Sequence, residues 1–107
     1  MATILGSGDF AYEVNMDWAK LPDGWTFHEV SDVAVDSKNR VYVFTRGKHP
    51  LIVFDREGNF LYSWGEGIFT RPHGVTIGPD DTLYCVDEGE HAVRKYTMDG
   101  GKVLMTV

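Results

Sequence analysis

The chain has a single cysteine, Cys85, among its 107 residues, so it forms no internal disulfide. That scarcity fits a reducing compartment. Basic residues are the minority, 10 Lys and Arg against 16 Asp and Glu, for a formal net charge of −6. This balance argues against nucleic acid, whose phosphate backbone is met by clustered cations. It argues equally against an anionic membrane surface. No apolar run approaches the roughly 20 residues that span a bilayer. Residues 1–9 lack a basic stretch leading into an apolar one, so no secretory signal is visible and a cytoplasmic location is expected. Helical periodicity is missing as well. No segment longer than about ten residues keeps it without a Gly or Pro, so helix content should be very low.

What is present is a repeat. The chain is 43% apolar and 13% aromatic, enough for one compact unit with a core, and its 12 glycines suit many tight turns. Sliding the sequence by 42 positions lays Val33-Ala34-Val35 on Val75-Thr76-Ile77 and Tyr42 on Tyr84. Gly47, His49 and Gly58 then fall on Gly89, His91 and Gly100. A period of about 40–45 residues made of short strands is the signature of β-propeller blades. The expected class is therefore all-β, with two four-stranded blades at 29–65 and 66–107. Residues 1–28 supply an N-terminal closing strand and a connecting loop. A whole propeller takes about 4–8 blades.

Turn chemistry divides each unit into four strands. The first reads Asp32–Val35, Arg40–Thr45, Leu51–Asp55 and Phe60–Trp64. The second reads Gly74–Ile77, Thr82–Val86, Ala92–Thr97 and Lys102–Val107. Ahead of them, residues 10–18 form an extra extended segment, and 19–28 a loop turning at Pro22-Asp23-Gly24. An open row of blades exposes strand edges. Phe10–Val14 is suited to closing the ring, within a longer chain or in a neighbouring copy.

The segments Glu29-Val30-Ser31-Asp32-Val33-Ala34-Val35-Asp36, Val43-Phe44-Thr45-Arg46-Gly47-Lys48-His49 and Arg71-Pro72-His73-Gly74-Val75-Thr76-Ile77 resemble NHL repeats. More narrowly, they look like the first two of the six blades of the peptidyl-α-hydroxyglycine α-amidating lyase family, over residues 29–107. The resemblance implies a metal-dependent cleavage of peptidyl-α-hydroxyglycine into a peptide amide and glyoxylate. Arg46 matches that family's catalytic arginine. His73, in Pro72-His73-Gly74, matches one of three zinc histidines contributed by different blades. Backbone carbonyls of Val33 and Val75 match ligands of a structural calcium on the propeller axis. The other two histidines, the catalytic tyrosine and the calcium aspartate belong to later blades, so these two blades alone are not expected to be an active lyase.

Each of these residues has a plainer alternative. His73 is either a metal ligand in the complete ring or a polar residue lining a wet channel. Its repeat partner is Ser31, so the fold itself does not require histidine there. Arg46 either clamps a carboxylate or developing oxyanion or pairs with a nearby Glu or Asp. Arg71 is expected to pair with Asp87 or Glu88. His49 and His91 recur with the repeat and should serve the fold through hydrogen bonds, while His28 reads as a surface histidine. Asp55, Asp87 and Asp99 stand at strand ends and should accept turn N–H groups. Trp18, Trp25 and Trp64 are expected between blades, and Cys85 as a small buried hydrophobe. Two functions stay open: a lyase that works only as a complete ring, and a non-catalytic NHL module that binds a protein or small molecule. Two blades taken three times make six, so a homotrimer is the expected assembly. Its three His73 side chains could meet near the axis, with a peptide or small molecule in the channel.

Overall fold

Short runs of β-branched and aromatic residues, broken every few positions by Asp, Asn and Gly, fold into two four-stranded antiparallel sheets. The computed structural model describes residues 2–107. Blade 1 runs in spatial order β3 (Val30–Val35), β4 (Val41–Thr45), β5 (Leu51–Phe54) and β6 (Phe60–Trp64). Blade 2 repeats the order with β7 (Pro72–Ile77), β8 (Leu83–Asp87), β9 (Ala92–Tyr96) and β10 (Val103–Thr106). No α-helix occurs among the described residues; the one helical piece is a 3-10 turn at Gly8–Phe10.

Six of the eight blade strands lie within one residue of their expected bounds. β3 and β7 differ in one shared way, each starting two residues earlier than the sequence pattern suggests. In both, the register slips once and pairing then resumes, Val30 opposite Thr45 and Pro72 opposite Asp87. The residues skipped are Ser31 and His73, which are equivalent in the repeat. Such bulges add one unpaired residue and re-aim its side chain.

The N-terminus also departs from a simple extended segment. Tyr12–Val14 (β2) pairs antiparallel with Thr3–Leu5 (β1) as a separate hairpin, not with either blade. Ile4, Leu5, Phe10 and Tyr12 stay exposed on it.

The two sheets pack face to face. Tyr42, Phe44, Leu51 and Val53 of blade 1 meet Val75, Leu83, Cys85 and Tyr96 of blade 2 in one buried cluster, flanked by Trp64 and Phe69. Burying each such side chain stabilises by about 1.5–3 kcal/mol, so this layer is the main bond between blades. Trp64 lies in it, tilted against Tyr96 with ring centres 5.1 Å apart. Trp18 and Trp25 do not. They lie with Leu21 and Phe27 over Val43, Ile52 and Phe54, on the far face of blade 1. The connecting loop thus covers part of the surface that a preceding blade would occupy.

That loop is anchored to the turn after β5. Lys20 N–H donates to the Gly58 carbonyl at 2.9 Å, and the Trp18 indole donates to the Arg56 carbonyl at 3.0 Å. Gly58 has φ +85°, and a Cβ there would lie 1.8 Å from the Trp18 carbonyl oxygen. At its repeat partner Gly100, φ +72°, a Cβ would lie 2.2 Å from the Trp64 ring. Both glycines are required by conformation and by space.

Within blade 1, the buried Asp36 ties the first turn to the sheet. Its Oδ1 accepts the Lys38 and Arg40 N–H groups at 2.8 and 3.0 Å, and its Oδ2 accepts Arg40 Nε at 2.6 Å and the Tyr42 hydroxyl at 2.9 Å. Burial pushes the carboxyl up, but the bonds from Arg40, Lys38 and Tyr42 outweigh it and hold Asp36 below the usual range. Burial, with Tyr62 and Asp36 close by, pushes the Tyr42 phenol up.

Two outcomes are expected. Gly58→Ala should cost more than about 1 kcal/mol, because it adds both strain and a clash. It should also free Trp18, seen as a red-shifted tryptophan emission at temperatures below the melt. Because the folded-state value of Asp36 is depressed, its contribution is present above the unfolded carboxyl value of about 3.9 and is lost as pH falls through the folded value. Thermal melts between pH 7 and pH 2.5 should therefore show a shallower acid decline in Asp36→Asn than in the wild type.

Candidate functional site

The bulges decide where the candidate site forms. They sit at the start of the two first strands, β3 and β7, which lie side by side at the blade junction. In blade 1 the bulged Ser31 turns inward and its hydroxyl donates to the Phe44 carbonyl at 3.2 Å. In blade 2 the bulged His73 carries a longer side chain that is 61% exposed. His73 is therefore presented by a device the repeat already contains.

Arg46 follows β4 and reaches across the junction. Its Nε donates to the Pro72 carbonyl at 2.8 Å, the residue before His73. Nη1 donates to Glu29 Oε2 at 2.9 Å, and Nη2 to Glu88 Oε1 at 3.2 Å. The same Nη2 lies 3.5 Å from His73 Nδ1. The structure thus brings Arg46 and His73, from different blades, to one place. It also gives Arg46 the carboxylate partners of its plainer reading.

Arg71 Nε donates to Glu88 Oε1, as the sequence allowed, and its backbone N–H donates to Asp87 Oδ1 at 2.8 Å. Glu88 Oε2 lies 3.4 Å from His73 Nδ1. The hydrogen bond from Arg71 leads in holding the Glu88 carboxyl below its usual range, with the Arg71, Arg46 and His73 charges adding to it. The result is a row of alternating charge, Glu29, Arg46, Glu88, Arg71, running over both blades.

Glu29 and Asp32 were not singled out from the sequence, and Glu88 was named only as a partner for Arg71, although Glu29 and Glu88 carried a further signal there. The 42-residue offset lays Arg46 on Glu88 and Glu29 on Arg71. The same pair of positions therefore holds an ion pair in each blade, with the charges exchanged. The backbone repeats too: Arg46 N–H donates to the Glu29 carbonyl at 2.8 Å, and Glu88 N–H to the Arg71 carbonyl at 3.1 Å.

Val33 and Val75 are brought together by one carboxylate. Asp32 Oδ1 accepts the Val33 N–H at 2.9 Å, and Oδ2 accepts the Val75 N–H at 3.0 Å. Asp32 falls on Gly74 in the repeat, so blade 2 has no counterpart of this carboxylate. The Val75 side chain is buried, whereas Val33 is 54% exposed on the open face of blade 1. Two carbonyls fall short of the six to eight oxygens that calcium takes. No group of three or more His, Cys, Asp or Glu able to hold a metal occurs among the described residues. A catalytic zinc takes about three protein ligands, and His73 supplies one.

Most of the remaining candidates serve the fold, whereas the His91 side chain makes none of its expected hydrogen bonds among the described residues. His49 stacks flat on Trp25, ring centres 3.4 Å apart and planes 4° from parallel, so its ring acts by stacking rather than by the expected hydrogen bond. Its backbone carbonyl accepts the Thr45 hydroxyl at 3.0 Å. His91 and His28 are exposed and take left-handed backbone angles, φ 52° and 63°. Asp55 and Asp99 cap their turns, Asp55 accepting Glu57 and Asn59 N–H groups and Asp99 that of Gly101. Asp87 does more, also accepting Thr70 N–H at 2.8 Å and so holding the loop that leads into His73. Burial pushes the Cys85 thiol up to about 12, which makes it an inert core residue.

No family profile matches the chain. Among known proteins it is similar to the peptidylglycine alpha-amidating monooxygenase of Rattus norvegicus, 30% identical over 83% of this chain. It is also similar to the peptidyl-alpha-hydroxyglycine alpha-amidating lyase 1 of Drosophila melanogaster, 31% identical over 70% of the chain. NHL repeat-containing protein 3 of Homo sapiens is 32% identical over 86% of it. The chain spans only 12%, 15% and 29% of those three proteins' own lengths. The repeat, the two equivalent four-stranded sheets and these relatives together make the chain an NHL-type β-propeller segment.

Proposed function

We propose that this chain contributes two blades to an NHL ring which, when complete, cleaves peptidyl-α-hydroxyglycine to a peptide amide and glyoxylate. The observation that carries this reading is the meeting of Arg46 and His73 across the blade junction, 3.5 Å apart, with the imidazole open to solvent. The names of the rat and fly relatives point to the same substrate class.

In that reaction the carbon–nitrogen bond to the hydroxyl-bearing carbon breaks. The hydroxyl gives up its proton and becomes the aldehyde of glyoxylate, and the departing amide nitrogen takes up a proton. Charge therefore develops on the hydroxyl oxygen beside a permanent carboxylate. Arg46 supplies a fixed cation for either group. Its Nε and Nη2 are committed to Pro72, Glu88 and His73, so the anion would approach at Nη1, where Glu29 is 56% exposed and displaceable. No step is routed through zinc, because the residues of this chain supply one donor.

Ring completion is the second part of the proposal. Val33 and Val35 are each 54% exposed on the open face of blade 1, and every residue of β10 is exposed at the rim of blade 2. Three copies would supply six blades, cover these surfaces and bring three His73 side chains towards one axis. The β1–β2 hairpin could then release β2 to complete a neighbouring blade. A non-catalytic binding ring is the second reading. It is favoured by the heavy engagement of Arg46 with Glu29 and Glu88, which gives that arginine a sufficient structural role.

Light scattering on the purified chain, with zinc measured on the same peak, tests ring closure. The expected result is a species of three times the 12.0 kDa chain mass carrying zinc, with the metal lost in His73→Ala. A monomer, or full zinc retention in His73→Ala, would remove the trimer with a His73 centre. Glyoxylate release from a peptidyl-α-hydroxyglycine tests the chemistry. Arg46→Lys keeps the charge but not the fork and should slow release by about 10²-fold. A closed, zinc-loaded ring that releases no glyoxylate would leave the binding-module reading.

A further inference from the structure

We infer that the two open faces of this chain fit each other: the forward face of blade 2 takes the rear face of blade 1 in a second copy, which brings Glu88 beside Arg46 of that copy. This deepens the ring completion proposed above and rests on it, but not on the lyase chemistry.

The charge-exchanged repeat carries the inference. Within the chain, Glu29 and Arg46 of blade 1 stand against Arg71 and Glu88 of blade 2. Arg46 Nη2 donates to Glu88 Oε1 at 3.2 Å across the junction, and Nη1 donates to Glu29 Oε2 at 2.9 Å within its own blade. The 42-position offset lays each of these four charges on one of opposite sign. A second copy added by the same blade-to-blade step therefore sets Arg71 and Glu88 of the first chain against Glu29 and Arg46 of the next. Every charge at that junction is the inverse of the one observed. Coulomb energy depends on products of charges, so inverting all of them leaves it unchanged. Had the repeat kept its signs, Arg46 would meet an arginine at both junctions.

The apolar faces match by the same step. Val75 is 4% exposed and Ile77 packs into the core, because blade 1 covers them. Their counterparts Val33 and Val35 are each 54% exposed. The loop carrying Trp18 and Trp25 packs over Val43, Ile52 and Phe54 of β4 and β5 and leaves β3 bare. On the other side, Tyr42 and Phe44 are 0% exposed beneath blade 2, whereas their counterparts Tyr84 and Val86 are only half-buried. Blade 2 thus presents forward what blade 1 presents, and blade 1 lacks behind it what blade 2 has.

The junction between copies is the weaker of the two. Asp32, which accepts the Val75 N–H, is replaced in blade 2 by Gly74. Ser37, whose N–H donates to Asp81, is replaced by Pro79, which has none. Lys95, paired with Asp80 at 3.0 Å, stands where blade 1 has the buried Val53. Copies should therefore separate on dilution while the two blades of each chain stay docked. Such a head-to-tail contact makes a ring where the rotation closes and a filament where it does not.

The test is native mass spectrometry of the full chain mixed with a fourfold charge exchange, Glu29→Arg, Arg46→Glu, Arg71→Glu and Glu88→Arg. The exchanged chain keeps opposite charges together in its own junctions and should assemble with itself. Every mixed junction sets like charges together, so mixed species should fall at least about tenfold below random mixing. Val35→Lys, at an exposed position, should abolish assembly, and about 1 M salt should weaken it in the wild type. Backbone amide spectra check that each variant is folded; if the exchanged chain is not, Val35→Lys and the salt response decide. Free mixing of folded chains, wild-type assembly in Val35→Lys, or a wild type monomeric at every concentration would overturn the inference. Selective assembly into filaments would uphold it and remove the three-copy ring, and a selective ring that releases no glyoxylate would uphold it and remove the lyase.

Discussion

Everything in this structure depends on one sheet burying its face against the next. Blade 1 is not a stable object alone, because it is apolar on both sides. The face of blade 1 formed by Tyr42, Phe44, Leu51 and Val53 is covered by Val75, Leu83, Cys85 and Tyr96 of blade 2, together with Phe69. The opposite face of blade 1 is covered in part by Trp18, Leu21, Trp25 and Phe27. This is the logic of repeat architectures, in which a unit is completed by its neighbour and not by itself.

Polar groups around that layer set the alignment. Asp32 reaches from β3 to the Val75 N–H, Arg46 from the end of β4 to the Pro72 carbonyl, and Ser37 N–H donates to Asp81 at 3.3 Å at the other end of the strands. Single bonds of this kind contribute about 0.5–1.5 kcal/mol each, small beside the buried layer. Their directionality is what the apolar contact lacks. They pin the two first strands in one relative position, and with them the residues at the strand starts. The same bonds that align the blades therefore position the candidate site.

Arg46 shows how closely structural and chemical roles overlap here. Its guanidinium is held by a carbonyl and two carboxylates and is only 20% exposed, which gives it a fixed place. A fixed cation is of more use to a developing negative charge than a mobile one, because it does not have to be ordered during the reaction. An arginine that ties blades together and one that stabilises an anion need the same preorganisation. The exposed edge at Glu29 is where the two roles would separate.

The strand pattern, the turns, the two-blade division and the class of fold were all legible in the sequence. They follow from local causes: alternation of apolar residues, Gly at left-handed turns, and a repeat that brings equivalent residues back every 42 positions. Arg46 and His73 could be singled out by type and motif. Their meeting could not be read from the chain, because it depends on a bulge at the start of β7 and on an arginine crossing to a neighbouring blade. Asp32, and the contact of Glu88 with Arg46, stayed hidden for the same reason: each depends on a partner in another blade. The stacking of His49 on Trp25 likewise arises from a loop folding back over the sheet. Sequence determined the elements, since strands and turns are set by nearby residues. Tertiary structure decided the site, since Arg46 meets partners 17 to 42 positions away, and those of the second blade only when two sheets pack face to face.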